Sequence, residues 1–133
     1  MDAVRKHSQK RDAILACLRS TTSHPTAEWV YRQLKPVIPD LSLGTVYRNL
    51  AMFKESGEIQ SVGTVNGLER FDANTAPHAH FICTCCNAVL DVHGLELPAQ
   101  LTADAEALTG SRICGHQLLF YGKCPACAGS HAQ

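Results

Sequence analysis

Cys83 and Cys86, and Cys124 and Cys127, form two Cys-x-x-Cys pairs with 37 residues between them. A Cys-x-x-Cys turn presents two thiolates to one soft metal ion without strain, and two such turns complete the four-sulfur tetrahedron of a closed structural zinc site. Four buried free thiols are the plainer alternative, and the paired spacing argues against it. A second donor set lies upstream and between the pairs: His78 and His80, with Asp72 before them, Asp91 after them and His24 much earlier. Imidazoles with carboxylates are the wrong chemistry for a thiolate zinc site. They suit a harder, exchangeable ion: Fe(II), Mn(II) or Zn(II). The pattern therefore predicts one metal that holds the fold and another that is sensed.

Spacing refines this reading. His78 and His80 are two residues apart in an extended segment, so their rings project from the same face. His24 stands immediately before Pro25. Either it is an ordinary residue ahead of a helix, or it is a ligand by which a metal locks one half of the chain against the other, a physical route to a switch. Cys85 sits between the first pair and can stand in for a neighbour or react as a free thiol. Cys17 and Cys114 read as apolar positions. His93 and His116 can be assembled into a further site, but read more simply as polar strand positions.

These donors need elements to position them. Ser8 is expected to cap a first helix with Ile14, Leu15 and Leu18 on one face. Thr26 caps a second, with Trp29, Val30 and Leu34 inward and Pro36 and Pro39 as stops. Ser42 caps a third, residues 43–56, whose Val46, Leu50 and Phe53 face a core, and Gly57 ends it. Residues 59–72 predict a β-hairpin around Asn66-Gly67. Three short helices and a two-stranded ribbon make a winged helix-turn-helix. Its third helix would enter a DNA major groove and expose Thr45, Tyr47, Arg48 and Asn49, with Arg70 near the base of the hairpin. Hydroxyls and Arg suit phosphates, and Arg and Asn suit base edges. A merely solvated helix face is the rival explanation.

Residues 74–77 (Asn-Thr-Ala-Pro) read as a hinge. Beyond it, HAHFICTCC and NAVLDVHGL read as strands, LPAQLTADAEALTG as a helix ending at Gly110, and RICGHQLLFYGKC as a returning strand. The expected class is α+β: a winged-helix DNA-binding domain over 1–72, a hinge over 73–77, and a small α/β domain over 78–133. That last unit has little apolar material for a core, which is where structural metals are used.

Composition sets outer bounds. The chain has 133 residues, is 45% hydrophobic and carries no net charge. Residues 1–72 hold ten Lys/Arg against eight Asp/Glu, while residues 73–133 hold two against four and six of the seven cysteines. A mildly basic module precedes a metal-rich one. The first residues, MDAVRKHSQKRDA, contain no apolar signal core, and no apolar run approaches the roughly 18 residues of a membrane span. An odd cysteine count in tight pairs fits reduced thiols in a soluble cytoplasmic protein. No nucleophile motif or cofactor fingerprint supports a metalloenzyme, so the chain is not expected to be an enzyme. A zinc-ribbon adaptor that never touches DNA is a further rival.

The segments HPTAEWVY, SLGTVYRNL, ESGEI, ERFD, HAHFICTCC, VLDV and YGKCPAC, in that order, resemble the ferric uptake regulator (Fur) family of bacterial repressors. The resemblance implies a homodimeric winged-helix repressor of a near-palindromic double-stranded DNA operator, with zinc at Cys83, Cys86, Cys124 and Cys127 in its dimerisation domain. It places a regulatory Fe(II) or Mn(II) site at His24, Asp72, His78, His80 and Asp91. Aspartate at both 72 and 91 looks like the peroxide-stress regulators, in which iron-catalysed oxidation of a ligand histidine releases DNA. His24 and His78 would be the oxidised rings. An iron- or zinc-uptake regulator with reversible metal binding is the alternative within the family. Ala79 stands where many members carry Asp or Tyr, which argues against an additional metal site.

Overall fold

Ile14 and Leu18 are fully buried on the helix that opens the chain, where the apolar spacing places them. The computed structural model describes residues 2–76 and 78–130, with side chains described over 9–76 and 78–129. Two compact units divide the chain at residues 76 and 77; Pro77, the end of the expected hinge, lies outside the described residues.

In the first unit, α1 spans Asp2–Arg19. Ser8 is thus inside the helix rather than at its cap. No glycine or proline interrupts residues 2–13, and Ala, Lys, Arg and Gln carry the helix beyond the apolar stripe. Helix α2 (Ala27–Leu34) starts at Thr26, whose hydroxyl accepts the Trp29 N–H at 3.1 Å. Val30 and Ala27 are its buried residues; Trp29 and Leu34 are only partly covered. The link to α3 (Leu43–Ser56) is fastened by the Lys35 ammonium, which donates to the carbonyls of Pro39 (2.6 Å) and Leu41 (2.8 Å). Ser42 caps α3 through the Thr45 N–H at 3.1 Å, and Gly57 ends it with φ +83°.

The hairpin follows as β1 (Gln60–Val65) and β2 (Leu68–Asp72). Asn66 and Gly67 both take positive φ, 52° and 84°, as a type I′ turn requires. Val62 and Val65 are both buried although three apart, which strict alternation forbids. A bulge between Ser61 and Gly63 supplies the extra residue and turns Val62 inward. The core gathers Ile14, Leu18, Val30, Leu41, Leu50, Phe53 and Phe71. Phe53 is 2% exposed, and Phe53→Ala is expected to lower the unfolding free energy by about 3–5 kcal/mol in urea titrations.

In the second unit, β3 (Ala79–Cys83) is central: β4 (Val89–Val92) pairs antiparallel on one side and β5 (Leu119–Gly122) parallel on the other. Helix α4 (Gln100–Thr109) ends at Gly110 with φ +69°, and none of its residues is buried. The returning strand is shorter than expected, because residues 111–118 form no regular element. After it comes α5 (Pro125–Ser130), an element with no counterpart in the sequence pattern; Pro125 occupies the first helical position, where its fixed φ is favourable. Among the described residues of this unit, the buried apolar and cysteine side chains are Ala79, Ile82, Cys83, Val89 and Cys124. That is a small core. Among the described residues, no helix is long and apolar enough to cross a membrane.

Candidate functional site

A tight turn after β3 brings Cys86 back beneath Cys83: the Asn87 N–H donates to the Cys83 carbonyl (2.9 Å) and Asn87 takes φ +64°. On the neighbouring strand, Cys124 follows β5 and Cys127 lies in the first turn of α5. The four sulfurs lie within 4.8 Å of one another, with Cys86 and Cys124 at 3.7 Å. A tetrahedron built on Zn–S bonds of roughly 2.3 Å has edges of about 3.8 Å, so the set fits zinc. Cys85 is exposed and is not one of the four.

The backbone prepares this set for a cation. N–H groups of Cys124 and Cys86, each 3.4 Å from the Cys83 sulfur, hold its pKa down to about 6. Cys86 is lowered by the Ala88 N–H but ends above the usual thiol value, because the Cys83 and Cys124 sulfurs crowd it. Cys127 is pushed up by the Cys85, Cys124 and Cys83 sulfurs. One thiolate is therefore ready at neutral pH, while Cys86 and Cys127 must each lose a proton to a metal. Zinc affinity should rise with pH. Calorimetry at pH 7 in buffers of different ionisation enthalpy should show at least those two protons released per zinc; release of none would contradict the assignment.

The harder donors form two groups, one in each unit. In the first, His24 is 2% exposed, with Nε2 3.2 Å from Asp72 Oδ2. The other Asp72 oxygen accepts the Asn74 N–H at 2.8 Å. In the second, the β3/β4 register sets His80 directly opposite Asp91. Asp91 Oδ1 lies 2.8 Å from His78 Nε2 and 3.3 Å from His80 Nε2. His78 stands just before β3 rather than on it, and its ring centroid is 4.4 Å from that of His80. Both rings are buried. Each group joins imidazole nitrogen to carboxylate oxygen with the donor atoms converging, the chemistry of a divalent first-row ion. His93, by its sequence an ordinary polar position, has its ring 5.1 Å from His78 and its Nε2 3.9 Å from Asp91 Oδ2. The signal for this is its spacing of two from Asp91. His116 instead lines a 280 Å³ apolar hollow with Leu97, Leu101 and Ile113.

On α3, Tyr47 and Arg48 are exposed, and Thr45 and Asn49 are half-buried. The Tyr47 hydroxyl donates to the Glu28 carboxylate of α2 and lowers that group's pKa. Arg48 donates to the Thr45 hydroxyl at 3.0 Å, and Asn49 to the Thr45 carbonyl at 2.9 Å. Arg70, expected beside DNA, is half-buried and donates to the carbonyls of His24 and of Ser23, the latter at 2.8 Å. Two carbonyls from one loop are a better match for its fork than a solvated surface.

Comparison with known proteins agrees with this layout. The model of the ferric uptake regulator family matches residues 3–121. A peroxide operon regulator of Bacillus subtilis (strain 168) is 38% identical over 121 residues, spanning 90% of this chain and 81% of that protein. A peroxide-responsive repressor PerR of Staphylococcus epidermidis (strain ATCC 12228 / FDA PCI 1200) is 36% identical, spanning 89% and 78%. Among solved structures, the Campylobacter jejuni peroxide stress regulator has the same fold, with a TM-score of 0.74 at 24% identity over 95% of this chain and 94% of that one. A Francisella tularensis ferric uptake regulator with iron has a TM-score of 0.74 at 25% identity, over 90% and 92%. With the winged-helix unit, the four-cysteine cluster and a match over nearly the whole length, the chain belongs to the ferric uptake regulator family.

Proposed function

We propose that the protein is a metal-dependent transcriptional repressor that senses hydrogen peroxide. The carrying observation is the aspartate–histidine donor set: His24 with Asp72, and His78 and His80 with Asp91. The two groups are proposed to close on one Fe(II) or Mn(II), so that metal occupancy fixes the winged-helix domain (1–72) for DNA through the 73–77 hinge. Domain 78–133, held by zinc at its four cysteines, is the proposed dimerisation domain, and a two-fold dimer calls for a near-palindromic operator. Relatives named as peroxide-responsive support the sensing role.

Bound iron would supply one-electron chemistry toward peroxide, whereas manganese would hold the same ligands without that reactivity. His24 and His78 are the rings proposed to gain oxygen; an oxidised imidazole is a poorer nitrogen donor, so the ligand set weakens and repression ends. Thr45, Tyr47, Arg48 and Asn49 are the proposed operator contacts. Arg48→Ala is expected to weaken operator binding by about 1–3 kcal/mol in anisotropy titrations.

The test uses a fluorescent duplex selected from a random pool by the manganese-loaded protein. Peroxide should release it from the iron-loaded protein and leave it bound to the manganese-loaded one. Retention in both samples would favour a reversible iron- or zinc-uptake regulator, and a failure to select any duplex would favour a zinc-ribbon adaptor.

A further inference from the structure

Three consecutive carbonyls, of Ser23, His24 and Pro25, are all taken up by strand β2. Arg70 donates to the first two, and the Phe71 N–H donates to the third at 3.0 Å. The next residue of the strand, Asp72, faces the His24 ring at 3.2 Å. Residues 70–72 of the wing thus hold one short loop by backbone and side chain together. The loop needs holding. His24 takes φ +56°, in the left-handed region that strains a side-chain-bearing residue. It also precedes proline, where extended backbone is preferred. Arg70 is half-buried, with its guanidinium against these two carbonyls.

We infer that Arg70 is a positioning residue: its guanidinium fixes the left-handed backbone of His24, setting that ring as a metal ligand and tying it to the wing. The inference rests on the proposed regulatory site. A guanidinium is suited to the task because its planar fork reaches two carbonyls at once, while a lysine ammonium on a flexible stem reaches them less rigidly. A partner that orients a ligand in this way commonly changes metal affinity 10–100-fold when removed.

The experiment uses the intact, zinc-loaded 133-residue chain and Mn(II) alone, with free manganese counted by electron paramagnetic resonance. Arg70→Gln should weaken Mn(II) binding roughly 10–100-fold, and Arg70→Lys, which keeps a charged donor, should weaken it less. In a His24→Ala background, Arg70→Gln should cost nothing further, because the residue acts through His24. Equal losses in both backgrounds would make Arg70 a general brace and overturn the inference. Unchanged affinity in Arg70→Gln would overturn it as well. Operator affinity that stays low at saturating Mn(II) would return Arg70 to the DNA surface and likewise overturn it. A wild-type chain that binds no Mn(II) beyond its zinc would overturn the regulatory site itself, an outcome separable from the others.

Discussion

Cys83→Ser or Cys124→Ser is expected to unfold the second unit while leaving the first intact. Among the described residues of that unit, the buried apolar side chains are Ala79, Ile82 and Val89, joined by the two cysteines themselves. Its helix α4 buries nothing, and Leu101 and Leu108 stand exposed. Structural zinc in small domains contributes about 10–16 kcal/mol, which is comparable to the total stability of an ordinary domain, about 5–15 kcal/mol. Losing one thiolate removes most of that. Cys83 also organises its neighbours, since its sulfur accepts the N–H groups of both Cys86 and Cys124. Hydrogen exchange should show protection lost over β3, β4 and β5 and retained over α1–α3, with zinc content near zero. Protected strands in a zinc-free variant would contradict a fold built on the metal.

Asp91→Ala should behave in the opposite way: zinc retained, strands intact, metal response gone. A single oxygen of Asp91 faces both His78 and His80, so its removal strips two imidazoles of the carboxylate that orients them and deletes an anionic donor. Mn(II) affinity is expected to fall by at least about 100-fold, the upper end of what losing an orienting partner alone costs. Repression in the presence of manganese should fail with it. Titration calorimetry against Mn(II), beside zinc analysis and the anisotropy assay, checks both halves of the prediction. If the cysteine and aspartate variants share one phenotype, a division between a folding metal and a sensing metal is untenable.

What is legible in the sequence is local. Thr26, Ser42, Gly57, Asn66-Gly67 and Gly110 each punctuate the chain by their own backbone or capping chemistry, and each stands where that chemistry places it. The Cys-x-x-Cys spacing likewise carries its geometry within four residues. Less legible features depend on partners far along the chain. Arg70 reads as a surface cation until the loop 46 residues earlier is seen to offer it carbonyls. The bulge at Val62 follows from the core's demand on β1, and His93 reaches its neighbours only once β4 is paired to β3. Ser8 reads as a cap for a related reason: helix propensity carries α1 past the apolar pattern that marks it.

The most direct test of peroxide sensing is peptide mass spectrometry on zinc-loaded protein given Fe(II) or Mn(II) and then hydrogen peroxide. An added oxygen at His24 or His78 in the iron sample alone is the expected result. Unmodified histidines in protein with iron demonstrably bound would contradict peroxide sensing through the metal.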